Sequence, residues 1–162
     1  MIKFLTILLG LLVSLCSLPS HAGTSINTIG SSDGVAIKGF DTVAFFTQKK
    51  AVPGSPAFSY QWAGATWLFS TEENLQAFKQ DPEKWTPQYG GHCAYGMSDG
   101  YVSQKPTSGD FEVMGEKLYL FPLGDHRGSA KDAWWRYGAG PKRRIAEADK
   151  QWPKFKSELE AK

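Results

Sequence analysis

Large apolar residues alternate with polar ones in two stretches of the chain, each interrupted by a glycine-containing pair. The first stretch is 58–70, with Ala63-Gly64 at its centre, and the second is 111–121, with Gly115-Glu116 at its centre. A period of two residues places alternate side chains on one face of a strand, and a glycine-containing pair closes the turn between strands. The pattern predicts two antiparallel β-hairpins.

Helix signals follow the first of these hairpins. Ser70 and Glu73 have the spacing of a capping box, and Leu75 and Phe78 then lie three residues apart on one face of a helix. This helix is predicted to end before Pro82, which itself suits the first position of another short helical turn.

A short strand and a short helix are predicted before the first hairpin. The strand begins at Val35 and turns at Gly39, and Asp41 is placed to cap a helix over 42–46. The sequence shows no internal repeat.

Two helices are predicted to close the chain, over about 129–137 and 141–159, the second with a break or kink at Pro153. Short antiparallel β-hairpins packed with helices make the predicted fold class α+β.

The N-terminus has the order of a secretory signal peptide. Lys3 precedes an apolar run over 4–13, and Ser20 and Ala22 supply the small side chains that a signal peptidase needs before its cut. The apolar run is shorter than the ~20 residues that span a bilayer, which disfavours a membrane anchor. The sequence therefore predicts a signal peptide over 1–22 and a periplasmic or secreted location.

The chain after the predicted cut divides into two parts. Residues 23–34 are rich in Ser, Thr, Asn and Gly without periodicity, and they are predicted to form a flexible lead-in. Residues 35–162 are long enough to build one domain with its own core, ending in a helical extension.

The charge balance excludes several classes of partner. The 162-residue chain has 18 Lys and Arg against 16 Asp and Glu, a formal net charge of +2, and the basic residues are spread among acids. A nucleic-acid binder would show a basic stripe, so no nucleic acid is expected, and no membrane after signal cleavage. The one short basic cluster, Lys142, Arg143 and Arg144, is predicted to be a solvated helix face.

The strongest candidate for chemistry is the segment Gln-Tyr-Gly-Gly-His-Cys-Ala-Tyr-Gly at 88–96. Signal cleavage would leave Cys93 as the lone cysteine. Gly90 and Gly91 permit a tight turn that can feed a helix, and a cysteine in the first helical turn meets free backbone N–H groups that lower its pKa. The sequence predicts a catalytic, redox-active thiol at Cys93, supported by Gly90, Gly91 and Tyr95. The alternative is a buried cysteine that acts as a small apolar side chain.

Metal binding is a second hypothesis for the same segment. After cleavage the chain has only Cys93, His92 and His126 as Cys or His ligands, too few for a closed structural zinc site. An open site could combine Cys93 with His92, His126, Asp41 or a tyrosine, and thiolate with imidazole would suit copper or zinc. On its own, His92 is predicted to be exposed or to bond a backbone carbonyl, and His126 to lie in an exposed loop.

Several motifs resemble the YHS domain family, and more closely its exported bacterial YHS domain-containing (seleno)protein group. The resemblance covers nearly the whole chain after 34 and is carried by the following segments: Gly-Phe-Asp-Thr-Val-Ala-Phe-Phe at 39–46, Gly-Ser at 54–55, Gly-Ala-Thr-Trp-Leu-Phe-Ser at 64–70, Glu-Asn at 73–74 with Phe78, Asp-Pro-Glu-Lys-Trp at 81–85, the segment 88–96, Gly-Glu-Lys-Leu-Tyr-Leu at 115–120 and Ala-Asp-Lys-Gln-Trp-Pro at 148–153. The resemblance implies a YHS-like core with C-terminal helices.

The departures from that family bear on function. YHS domains of copper-transporting ATPases and related metal proteins usually carry cysteines that look like metal ligands. At the positions that resemble theirs, this chain has Ala44, Ser70 and Asn74. The exported group keeps a cysteine matching Cys93, and its name implies that some members carry selenocysteine at this position. The resemblance therefore favours a redox role for Cys93 over a metal role.

Three functions follow as hypotheses, in this order. The first is a thiol redox or peroxide-responsive protein that uses Cys93. The second is a copper-binding or copper-delivery module, and the third is a non-catalytic interaction domain. The first two imply a periplasmic thiol-redox or metal-handling partner. The sequence leaves open whether the protein is an enzyme.

Overall fold

A computed structural model describes residues 23–107, 109–124, 128–137 and 140–162. The predicted signal peptide, 1–22, lies outside the described residues, as do Asp125, His126 and Arg127. The described part of the chain is α+β, with six α-helices and two antiparallel hairpins, as predicted. The elements are α1 (Thr42–Thr47), β1 (Ser55–Trp62), β2 (Ala65–Phe69), α2 (Glu72–Gln80), α3 (Pro82–Trp85), α4 (Ala94–Ser98), β3 (Asp110–Met114), β4 (Lys117–Phe121), α5 (Ala130–Arg136) and α6 (Gly140–Glu160).

Both predicted hairpins are confirmed. Strands β1 and β2 pair with Tyr60 opposite Trp67, and strands β3 and β4 pair with Glu112 opposite Tyr119. The second hairpin turns at Gly115, whose φ of 61° lies in the left-handed region that glycine adopts without strain. No strand of one hairpin pairs with a strand of the other among the described residues, so the two sheets are separate.

The helix caps are set by short polar side chains. Asp41 caps α1 as predicted, because its Oδ1 accepts the N–H groups of Val43 and Ala44. The predicted cap of α2 is wrong by one residue. Thr71 accepts the Asn74 N–H at 3.2 Å and caps α2, while Ser70 turns toward Asp41 instead.

The strand predicted from Val35 is replaced by a 3-10 turn, Ala36–Gly39. Ile37 and Lys38 have φ values of 43° and 57°, which the alternating pattern could not reveal, and Gly39 follows at 75°. Val35 and Phe40, on either side of the turn, form isolated β-bridges with Thr66 and Pro53 and do not belong to a continuous strand.

The predicted flexible lead-in, 23–34, is wrong for its central part. Ser25, Ile26 and Asn27 are buried, and the Asn27 N–H donates to the Gly90 carbonyl at 2.8 Å. The Asn27 carbonyl in turn accepts the Ile37 N–H at 2.8 Å. A polar composition was compatible with order here because the polar groups of Asn27 find partners in two separate turns.

The buried apolar residues form two clusters that meet at β4. Leu118 and Leu120 pack into the first cluster, with the β1–β2 hairpin, α1 and α2. Tyr119 and Phe121 pack into the second, with α4, α5 and α6. Since successive side chains of a strand point to opposite faces, one short strand serves both clusters.

Helix α6 continues from Gly140 to Glu160 through Pro153, so the predicted break does not end the helix. Arg144 corrects a second prediction. Lys142 and Arg143 are exposed, but Arg144 is buried, donates to Ser98 and Asp99, and lies over the Tyr95 ring at 4.3 Å. No helix in the described ranges is long and apolar enough to cross a membrane.

One order of elements occurs twice, which the sequence did not reveal. A 3-10 turn, a short helix, a hairpin and a second helix follow one another over 36–80, the first unit, and again over 88–136, the second unit. The turns match in detail, because residues 37–39 have φ values of 43°, 57° and 75° and residues 89–91 have values of 57°, 60° and 83°. This recurrence makes Asp41 and Cys93 equivalent as the caps of α1 and α4.

Candidate functional site

The turn Gln88–Gly91 holds the candidate segment against the rest of the molecule. A Cβ at Gly90 would lie 2.1 Å from the Ser25 carbonyl oxygen, and one at Gly91 would lie 2.5 Å from the Ile37 side chain. Both positions also have positive φ. The close backbone approach inferred from the two glycines is therefore present, and it fixes the chain direction into Cys93.

Cys93 is the N-cap of α4. Its Sγ accepts the N–H of Gly96 at 3.4 Å, and its backbone bridges to Leu120 of β4. The predicted position in the first helical turn is therefore wrong by one residue for Cys93, and His92 stands outside the helix. Cys93 is buried, with 3 % of its surface exposed.

The environment of the thiol does not lower its pKa as the sequence predicted. Burial raises the pKa of Cys93, because the thiolate loses more solvation than the protein returns. The backbone N–H groups of Gly96 and Tyr95 oppose this change, and Lys105 opposes it further, whereas the Asp99 carboxylate adds to it. Helix α4 has only five residues, so its N-terminus provides little compensation.

Cys93 lines a cavity of about 610 Å³, which we call the thiol cavity. Its lining comes from the start of α4, the chain after it, the end of β4 and the start of α5: Cys93, Tyr95, Tyr101, Val102, Ser103, Gln104, Lys105, Pro122, Gly128, Ser129, Ala130 and Ala133. Tyr101 is half exposed at this cavity, and burial raises the pKa of its hydroxyl, with a further contribution from Cys93. The buried Cys93 therefore borders open space on one side.

The equivalent place in the first unit is filled. The Asp41 carboxylate is fully buried, and its Oδ2 accepts the Ser70 N–H at 2.8 Å, the Ser70 hydroxyl at 2.6 Å and the Asn74 amide at 2.7 Å. Ser70 and Asn74 occupy two of the positions at which the resemblance to metal-binding YHS domains would place ligand cysteines. Ala44, whose N–H donates to Asp41 Oδ1, occupies the third. Asp41 thus belongs to a structural network and makes no hydrogen bond to the Cys93 segment.

Element by element, the thiol cavity matches that network. Cys93 stands where Asp41 stands, and Pro122 follows β4 as Ser70 follows β2. Ser129 caps α5 as Thr71 caps α2, so Asp132 of α5 matches Asn74 of α2, and Asp132 does not line the thiol cavity. Pro122 has neither the hydroxyl nor the N–H with which Ser70 donates to Asp41, and the space beside Cys93 is the thiol cavity.

His92 is buried, with 3 % of its surface exposed, which corrects the prediction of an exposed ring. Neither ring nitrogen has a hydrogen-bond partner of acceptable geometry in the described part of the chain. Burial lowers the pKa of His92 to about 4, and a weaker effect of the Ser25 backbone opposes this change. The ring is therefore neutral at pH 7, lying 6.4 Å from the Trp152 ring between centroids.

The predicted metal ligands are not brought together by what the structure describes. Within the described ranges, no group of three or more His, Cys, Asp or Glu side chains could hold a metal ion. His126, proposed as a ligand or as a partner of Cys93, lies outside the described residues.

Two residues near the thiol were missed by the sequence reasoning. Tyr101 lines the cavity after a turn with no motif of its own, so no local signal marked it. Arg144 anchors the end of α4 through Ser98 and Asp99 across 46 and 45 residues of sequence. Its place in a basic cluster suggested exposure, and only tertiary packing shows otherwise.

Comparisons with known proteins add no relative. No family model matches the chain, and the searches of curated proteins and of solved structures return no match.

Proposed function

We propose that the protein is a thiol redox protein whose reacting atom is Cys93 Sγ at the wall of the thiol cavity. The observation that carries this proposal is the contrast between the two helix caps. Asp41 is surrounded by its own donors, whereas Cys93 borders a cavity of about 610 Å³. A cavity at a buried sulfur admits a small reagent and excludes a protein-sized one.

The substrate class is a low-molecular-weight disulfide or a peroxide. The Cys93 thiol first loses its proton to solvent. The thiolate then attacks one sulfur of the disulfide, the S–S bond breaks, and a mixed disulfide forms while the other sulfur leaves as a thiolate. With a peroxide the O–O bond breaks instead, and a sulfenic acid and water or an alcohol are formed. A small thiol reduces either product.

The raised pKa of Cys93 determines how fast the thiol reacts at a given pH. At neutral pH the thiol is mostly protonated, and the thiolate is the nucleophile, so reaction is slow and accelerates as the pH rises. This fits a thiol that responds to sustained exposure better than a fast peroxide-destroying centre.

The family resemblance supports the same function. It implies a cysteine, in some members a selenocysteine, at this position in the exported YHS group, and this chain has Ala44, Ser70 and Asn74 in place of the metal cysteines. Selenocysteine serves redox chemistry, so an equivalent cysteine is expected to do the same.

The test is the modification rate of Cys93 in the folded full chain. Iodoacetamide and hydrogen peroxide are reacted at several pH values, and mass spectrometry resolves the peptides that contain Cys16 and Cys93. We expect both reagents to modify Cys93, with a rate that still rises above pH 9 because burial raises its pKa from 9.0. A maleimide coupled to a large polymer should react far more slowly.

A Cys93→Ser variant is the matched control, and two outcomes would overturn the proposal. Complete protection of Cys93 from both small reagents would support the interaction-domain alternative, with the cysteine as core volume. Cu(I) binding that is tight in the wild type and absent in Cys93→Ser would support the copper alternative.

A further inference from the structure

A second cavity, of about 490 Å³, shares no lining residue with the thiol cavity. It lies where the two apolar clusters meet, because Trp62 packs on the first cluster and Trp152 on the second. We call it the indole cavity after these two side chains. A cavity of this size between two apolar clusters is suited to a small ligand.

The two indoles are held in fixed orientations at the cavity. Trp62 meets Phe78 edge to face, with centroids 5.8 Å apart, and meets Trp67 at 6.1 Å. Trp152 meets Tyr89 edge to face at 6.1 Å. Both indoles are only partly buried, so apolar ring surface remains at the cavity. Such surface suits the C–H face of a ligand ring.

The polar lining mixes groups that can only accept hydrogen bonds with groups that can only donate them. Glu83 and Asp149 are acceptors, and Lys117 and Lys156 are donors. Tyr89 donates its hydroxyl to Asp149 Oδ1 at 2.9 Å, and Oδ2 accepts no hydrogen bond from the described residues. Asp149 is thus oriented and still has an acceptor atom for a ligand.

The charges at the lining nearly cancel. Glu160 adds a third carboxylate to Glu83 and Asp149, against the two ammonium groups of Lys117 and Lys156. Glu160 is already engaged, since it accepts the Ser25 hydroxyl at 2.8 Å and lies 3.9 Å from Lys156. An organic cation would face the two ammonium groups, and an anion would face the carboxylates.

We propose that the indole cavity binds a neutral saccharide. A hydroxyl group both donates and accepts, so a ring that carries several hydroxyls can donate to Asp149 and Glu83 and accept from Lys117. The apolar C–H face of the same ring can stack on the indole of Trp62 or of Trp152. The cavity thus matches a ligand with one apolar face and a hydroxylated edge.

The test uses cellobiose, maltose and N,N′-diacetylchitobiose as probes of the folded full chain. Calorimetric titration and tryptophan fluorescence are expected to show saturable binding of at least one of them. Asp149→Asn and Glu83→Gln keep side-chain size, and each should weaken that binding by about tenfold through loss of a charged acceptor. Trp135→Leu removes a half-exposed indole outside the cavity and should leave the affinity unchanged.

Three results would overturn the assignment: no binding of any of the three disaccharides at millimolar concentration, equal binding by wild type, Asp149→Asn and Glu83→Gln, or binding of tetramethylammonium or phosphate in place of the sugars. Cys93→Ser should bind the disaccharide as the wild type does. This variant separates the saccharide site from the proposed thiol function, because either can fail without the other.

Discussion

The two units of the molecule place a polar cap at the same point of the same order of elements, and they surround it differently. Asp41 in the first unit is fully buried and accepts five hydrogen bonds from Val43, Ala44, Ser70 and Asn74. Among the described residues, Cys93 in the second unit has only backbone N–H groups of its own helix as donors to its sulfur, with Gly96 at 3.4 Å, and it borders the thiol cavity. A fully hydrogen-bonded polar network rigidifies its surroundings, and within the described ranges the cap of the second unit has no such network of side chains around it.

The residue before each cap differs in the same sense. Phe40 precedes Asp41, and His92 precedes Cys93, each as the residue that ends a 3-10 turn. His92 occupies the place of an apolar side chain, which accounts for its two unpartnered nitrogens. Three of the four buried side-chain atoms that lack a hydrogen-bond partner among the described residues therefore lie in the second unit, two in His92 and one in Trp134.

The largest expected effect on stability is at Asp41, the saturated cap of the first unit. Asp41→Ala leaves several buried donors unpaired, and we expect the free energy of unfolding to fall by about 3–5 kcal/mol. Urea denaturation followed by circular dichroism measures this loss.

Asp81→Ala is the control for that change. Asp81 is also an aspartate N-cap, at α3, but it is exposed and accepts the Lys84 N–H at 3.2 Å. Its loss should cost about 1 kcal/mol. Equal costs at Asp41 and Asp81 would show that saturation of the buried network adds nothing to capping.

His92→Phe copies the first unit into the second and is expected to alter the pH dependence of stability. The folded state keeps His92 neutral down to about pH 4, whereas the unfolded chain protonates it near pH 6.5. The unfolded state then binds more protons between these values, so wild-type stability falls as the pH falls through this window. The variant lacks this loss and should gain about 3 kcal/mol relative to the wild type between pH 7 and pH 4.

The measurement is the difference in unfolding free energy between wild type and His92→Phe at each pH. The contributions of all groups that behave alike in the two proteins cancel in that difference. A constant difference from pH 7 to pH 4 would mean that the folded state protonates His92 as readily as the unfolded state.

Local signals predicted the parts of the fold that depend on neighbours in sequence. The alternation around Gly64 and Gly115 predicted both hairpins, and Asp41 was recognised as a cap because its partners are two and three residues away. The relation between the units was not predictable in this way. Their shared turn depends on positive φ values at Ile37 and Lys38, and neither residue type indicates a positive φ.

The sequence predicted the local backbone of the candidate site and not its electrostatics. The close backbone approach at Gly90 and Gly91 is present as predicted, whereas the role of Cys93 as the reacting residue stays a prediction. The direction of the pKa change was wrong, since it depends on burial beneath β4, α5 and α6, which lie outside the motif. His92 was predicted to be exposed or to bond a backbone carbonyl, and its burial likewise depends on a distant element, since its ring lies 6.4 Å from that of Trp152 in α6.

The smallest expected effect is a change in the reaction rate of Cys93 when the charge of Asp99 is removed. Asp99 at the end of α4 raises the pKa of Cys93, and its side chain is 41 % exposed, so solvent screens the interaction. Asp99→Asn keeps an oxygen for the Arg144 guanidinium but removes the charge. We expect the iodoacetamide rate at pH 7 to rise about twofold to threefold. Glu147→Gln removes a nearby carboxylate that does not act on Cys93 and should leave the rate unchanged. Equal acceleration by both variants would mean that net charge, rather than Asp99, sets the reactivity of Cys93.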